Sequence, residues 1–96
     1  MKTGVELITA EREKQISKHG FTGEHHFNHP EWYDKNQLIV ASNILIVKEK
    51  KPCLVPENWD REWFQRLCDK PYEKRLIIAA TLIVAEIDRI SYKDES

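Results

Sequence analysis

The chain has 96 residues, 41% of them hydrophobic and 32% charged, with a formal net charge of −1. That length suits a single domain over 1–96 with one modest core, and the near-zero charge supplies no global attraction for nucleic acid or an anionic membrane. The longest apolar run stops well short of the roughly 20 residues a membrane span needs. The opening Met1-Lys2-Thr3-Gly4 is no export signal. Cys53 and Cys68 form no CxxC pair. A disulfide between them is one alternative, and reduced thiols of a cytoplasmic protein are the preferred reading.

Thr3 and Glu6 stand at capping-box spacing and predict a first helix over about 4–18. Val5, Ile8 and Ile16 fall on one stripe with Arg12 and Gln15 between them, and Gly20 is a suitable stop. A second helix is expected over about 35–48, with Asp34 and Gln37 repeating the capping-box spacing. Its run from Leu38 to Val47 is apolar almost all round, which suggests a central helix or a homodimer contact. Lys48-Glu49-Lys50-Lys51 reads as a solvated helix end. Asn58 is placed to cap a short helix over about 59–67, with Trp59, Trp63, Phe64 and Leu67 on one face. Pro71 suits the first turn of a last helix over about 71–91, where Leu76, Ala80, Ile83, Ile87 and Ile90 form a regular stripe assigned to the interior, Ile77, Ile78, Leu82 and Val84 widen it, and Ala79, Ala80 and Ala85 allow close approach of a neighbour. The expected fold is all-α: a small three-helix bundle with an additional short helix. Two long connections, about 19–33 and 49–58, are the segments of such a bundle in which function is expected.

All 4 histidines fall in the first connection, as His19, His25, His26 and His29. His25 and His29 share the spacing of a metalloprotease helix, but His26 stands where the general-base Glu belongs, and Pro30 biases His29 away from helical geometry. Three readings stay open. One is a looser divalent transition-metal site from His25 or His26, His29 and Glu24 or Glu31. The second is a metal-free contact with a ligand or protein, and the third an ordinary solvated loop. The aromatic residues Trp32, Tyr33, Trp59, Trp63, Phe64 and Tyr72 lie near segment ends. They either seal a small core or anchor a partner. Arg12 and Glu86 border the inward stripes of their helices and are expected to form a structural ion pair, with Arg89 sharing the carboxylate. No glycine-rich phosphate loop, GxSxG elbow or cysteine-nucleophile signature is present. The paired carboxylates of all-α nucleotide pyrophosphohydrolases are missing, because Lys14 and Arg89 occupy the second positions.

Glu11-Arg12-x-x-Gln15-Ile16 followed by Gly20-Phe21-Thr22-x-Glu24-His25-x-x-x-His29 resembles a group of small bacterial and prophage proteins. Their pattern runs Glu-Arg-x-x-Gln, then Gly-Trp-Thr-x-Glu-His-Asp-Asp-x-His. The later Trp59-Asp60-Arg61-x-Trp63-Phe64 and Leu82-Ile83-Val84-Ala85-Glu86-Ile87-x-Arg89 resemble the same group. The resemblance implies a small helical protein of phage type and no particular activity. His26 and Phe27 replace the acidic pair of the pattern, and Gln65–Asp69 looks like an insertion. The expected function is that of a small cytoplasmic binding or interaction protein without a cofactor. Its contact surface would combine Glu24, His25, His29 and Trp32 with Trp59 and Asp60. A protein or small ligand is the expected partner, alongside a homodimer, and neither nucleic acid nor membrane is expected. The alternative is a metal-dependent hydrolase of a nucleotide or other phosphate ester, with His25, His29 and Glu24 as ligands.

Overall fold

The chain is described, as a computed structural model, at residues 1–47 and 54–95. Among these residues the fold is all-α. The elements are α1 (Gly4–His19), α2 (Gly23–Phe27), α3 (Pro30–Tyr33), α4 (Gln37–Leu45), α5 (Arg61–Cys68) and α6 (Tyr72–Glu95). The Lys48–Lys51 run and Cys53 lie outside the described residues. The first long connection folds into two one-turn helices, α2 and α3, so the bundle carries more helical pieces than its sequence suggests.

Helix α1 starts and stops where its local chemistry dictates. Thr3 Oγ1 accepts from the Glu6 amide at 3.2 Å, and the Glu6 carboxylate accepts from the Thr3 amide at 3.1 Å. Gly20 closes the helix at φ 66°, a left-handed conformation open to glycine without strain. The caps of α4 and α5 depart from expectation. Asn36 precedes α4 at φ 65° with no side-chain cap. Gln37, in place of capping with Asp34, accepts from the Lys35 amide at 2.7 Å and donates to Glu31 O at 3.2 Å and Glu57 O at 3.3 Å. Asp60 rather than Asn58 caps α5, its Oδ1 accepting from the Trp63 amide at 2.7 Å.

Helix α6, with 24 residues, is about 36 Å long at 1.5 Å per residue. It is the axis on which α1, α2 and α4 pack. Small residues bring α4 close: Ala41 and Ala79 are buried, and Ser42 Oγ donates to Ala79 O at 3.1 Å. Phe64, Leu38 and Leu45 are the largest apolar side chains in the closed core. Arg75, also buried, donates to Leu45 O and Val47 O, carbonyls that the end of α4 leaves without helical partners.

Both α6 and α1 are rotated from the sequence expectation: of the aliphatic residues expected to face inward in α6, Ile78 and Leu82, on the margin of the stripe, are the buried ones. Ile78, Ala79, Leu82 and Ala85 of α6 face the core. The stripe assigned to the interior points out, with Leu76 40%, Ile83 44%, Ile87 56% and Ile90 44% exposed. In α1 the buried residues are Arg12 and Gln15, whereas Val5 and Ile16 are exposed. The physical reason is that α1 meets α6 through hydrogen bonds. Gln15 Nε2 donates to Thr81 Oγ1 at 2.7 Å, and Arg12 Nη2 meets Asp88 Oδ2 at 2.7 Å. Arg12 therefore does not pair with Glu86. Residues 86 and 88 lie about 200° apart around a helix, and the carboxylate facing α1 is Asp88. Glu86 instead pairs along its own helix with Arg89 at 2.6 Å.

The expectation of reduced thiols is also corrected. Cys68, at the buried end of α5, is disulfide-bonded. Among the described residues no helix is long and apolar enough to cross a membrane.

Candidate functional site

The stretch from Phe21 to Tyr33 is held against α6 by a close approach of backbones. A Cβ on Gly23 would lie 2.5 Å from Asp88 O. Thr22 caps α2, its hydroxyl accepting from the His25 amide at 3.1 Å. Asp88 thus anchors α1 through Arg12 and α2 through Gly23. Arg12 adds a third tie, donating from Nη1 to Phe21 O at 2.7 Å.

The two connections are laced together. Trp59 Nε1 donates to Trp32 O at 2.7 Å, and Asn58 Nδ2 donates to Glu31 O at 2.9 Å. Asn58 takes the left-handed conformation at φ 69°. Gln37 bridges Glu31 O and Glu57 O from beneath. Beside this seam lies a cavity of about 330 Å³. The first connection lines it with Phe21, His25, His26, Trp32 and Tyr33. The second contributes Asn58, Trp59, Asp60 and Trp63, and Gln15, Leu38 and Leu82 complete the wall. The volume is within the range of small-molecule sites.

Its rings meet at steep angles. Trp32 and Tyr33 lie at 86°, Tyr33 and Trp59 at 75°, and Trp59 and Trp63 at 67°. His25 Nε2 and His26 Nδ1 are buried and have no hydrogen-bond partner among the described residues. His26 is only 2% exposed, with its ring centroid 4.1 Å from that of Tyr33. Burial first, and then the Arg12 cation, push its pKa down to about 3. Burial and the neighbouring His29 also lower the His25 pKa. Burial, with the Glu31 charge, pushes the Tyr33 hydroxyl up to about 12. The His26 imidazole and the Tyr33 hydroxyl are therefore uncharged at neutral pH.

Of the residues singled out in the sequence, His25, Trp32, Trp59 and Asp60 line one cavity. His29 stands outside it, stacked on Trp32 at 4.7 Å and donating from Nδ1 to Glu31 Oε1 at 2.9 Å. Glu24 is exposed on α2 and does not line the cavity. His25, His29 and Glu24 consequently do not assemble the metal triad. No group of three or more His, Cys, Asp or Glu among the described residues is placed to hold a metal ion. Tyr33, one of the aromatic candidates, and His26 also line the cavity, as does Gln15, which nothing in the sequence marks as a site residue. The i, i+7 spacing of His26 and Tyr33 carries no signal across a break between two short helices. Gln15 is recognisable only once α1 is known to bury polar residues.

Fold and site together define a small all-α protein with an aromatic, imidazole-lined cavity between its two long connections. No family model matches the chain, and neither a curated protein nor a solved structure is significantly similar to it.

Proposed function

We propose that the protein is a small cytoplasmic binding module of bacterial or prophage type that takes a ligand, or a side chain of a partner protein, into the cavity between its two connections. The observation that carries this reading is that both connections, bonded to each other through Trp59 and Asn58, wall one open space of about 330 Å³. A segment serving stability alone is expected to fill such a space, because a void forfeits packing contacts. NMR with a set of neutral, anionic and cationic organic fragments tests the reading. Shifts of the Trp32, Trp59 and Trp63 indole N–H signals by one class of fragment support it, and no shift by any fragment overturns it.

Self-association is favoured by a separate observation. Leu76, Ala80, Ile83, Ile87 and Ile90 repeat at alternating spacings of four and three, the seam of paired helices. Leu76, Ile83, Ile87 and Ile90 are exposed, and Ala80 is half-buried between them, which leaves that seam uncovered. A second copy offers the same stripe across a two-fold axis, so the contact is self-complementary. Sedimentation as a dimer, converted to monomer by Ile87→Lys with the helical signal retained, is the expected result. A monomeric wild-type protein contradicts it.

A further inference from the structure

The cavity wall presents aromatic faces and one carboxylate. Three of its donors are already committed to the protein: Gln15 Nε2 to Thr81, Asn58 Nδ2 to Glu31 O and Trp59 Nε1 to Trp32 O. The wall also holds ring systems from Trp32, Tyr33, Trp59 and Trp63, two imidazoles and the Asp60 carboxylate. No lysine or arginine among the described residues lines it. The Arg12 guanidinium, which also bonds Phe21 O behind the wall, is paired with Asp88 at 2.7 Å.

Successive rings of the wall meet edge to face and not as a stack, at 86°, 75° and 67°. Parallel faces would suit a flat ligand inserted between them. Mutually steep faces surround a compact, roughly spherical group. A ring face attracts a cation through its quadrupole, and several faces around one quaternary ammonium add their attractions while burying its methyl groups. Asp60, on the same wall, supplies a full negative charge. Its Oδ1 also holds the Trp63 amide, which fixes the carboxylate at the start of α5.

We propose that the cavity is an aromatic cage for a quaternary or fully methylated ammonium group, with Trp32, Tyr33, Trp59 and Trp63 as its walls and Asp60 as its counter-charge. The assignment rests on the binding-module reading and names the ligand chemistry of that same site. A free alkylammonium metabolite and a trimethylated lysine side chain present the same group.

Titrations with choline, with Nε-trimethyllysine amide, and with the neutral isostere of choline carrying a tert-butyl group test the proposal. One of the two cations binds at least about fivefold more tightly than the isostere, the ratio expected of cation–π attraction at a partly open site. The tighter cation identifies the source. Asp60→Asn weakens that cation severalfold and leaves the isostere unchanged. Asparagine caps a helix as well as aspartate does, so α5 is retained, and an unaltered circular dichroism spectrum verifies it. Equal binding of cation and isostere overturns the cage while leaving the binding module standing. Binding of another fragment class with no response to either cation does the same. Silence of every fragment overturns both.

Discussion

Replacing His26 with phenylalanine will flatten the acid side of the protein's stability curve. The imidazole is 2% exposed, and burial together with the Arg12 cation holds its pKa at about 3, below the ordinary 6.5 of the unfolded chain. Between those values the unfolded chain carries a proton that the folded chain lacks. Stability is therefore complete above the unfolded value and falls as pH drops through 6.5 toward 3. At about pH 5 the undiscounted loss is ~2 kcal/mol, from a shift of one pKa unit being ~1.4 kcal/mol. Residual solvent contact and relaxation reduce this to about 1 kcal/mol, or ~4–8 °C in Tm for a domain of this size. The assay is thermal or urea unfolding of wild type and His26→Phe at about pH 7 and about pH 5, a window that lies above the ordinary carboxylate range. Phenylalanine keeps a ring against Tyr33 and removes the orphaned Nδ1. The variant should retain only the smaller slope due to His25, whose pKa is lowered in the same direction. Equal losses in the two proteins would refute the assignment of the slope to His26.

The register of α1 on α6 gives a double-mutant test. Arg12→Ala is expected to cost about 2 kcal/mol, below the usual cost of breaking a fully buried pair because the Asp88 side chain is 40% exposed. Coupling in unfolding free energy should appear between Arg12 and Asp88 and be near zero between Arg12 and Glu86; the opposite pattern would restore the pairing read from the sequence. Gly23→Ala should lower stability by roughly 1–3 kcal/mol, since its Cβ would meet the Asp88 backbone at 2.5 Å, and an unchanged Tm would show that α2 does not sit so close. Asp60→Ala should cost about 1 kcal/mol through the lost cap of α5, whereas Asp60→Asn should cost little. Equal losses in the two variants would remove the cap from the account.

Much of this architecture is legible where the signal is local. Thr3, Glu6 and Gly20 fix α1 because a cap is a matter of three or four neighbouring residues. The aromatic residues of the two connections announced a shared surface, and Trp32, Trp59 and Asp60 meet there. The face of α6 was not legible, because the helix carries two apolar stripes. One runs through Leu76, Ile83, Ile87 and Ile90, the other through Ile78, Leu82 and Ala85. Aliphatic content cannot choose between them, and the choice is made by Thr81 and Asp88, which hydrogen-bond Gln15 and Arg12. Placing Glu86 opposite Arg12 is a separate error: Glu86 does border the buried face, its side chain 12% exposed, but the carboxylate on the side toward α1 is that of Asp88. Trp59 was placed inside its helix because Asn58 is a good cap by type. The left-handed conformation of Asn58 and its bond to Glu31 O instead delay the start of α5 to Arg61. The disulfide at Cys68 depends on tertiary geometry that two cysteines in a sequence do not display.

The central claim is that the cavity between the two connections is the place where this protein binds. Intermolecular NOEs from the protons of a bound fragment, of whichever class shifts the indole signals, test it most directly. The account predicts NOEs to the rings of both Trp32 and Trp59, one from each connection, together with Trp63. NOEs confined to Ile83 and Ile87 on the outer face of α6, or to no ring of the cavity, would contradict it.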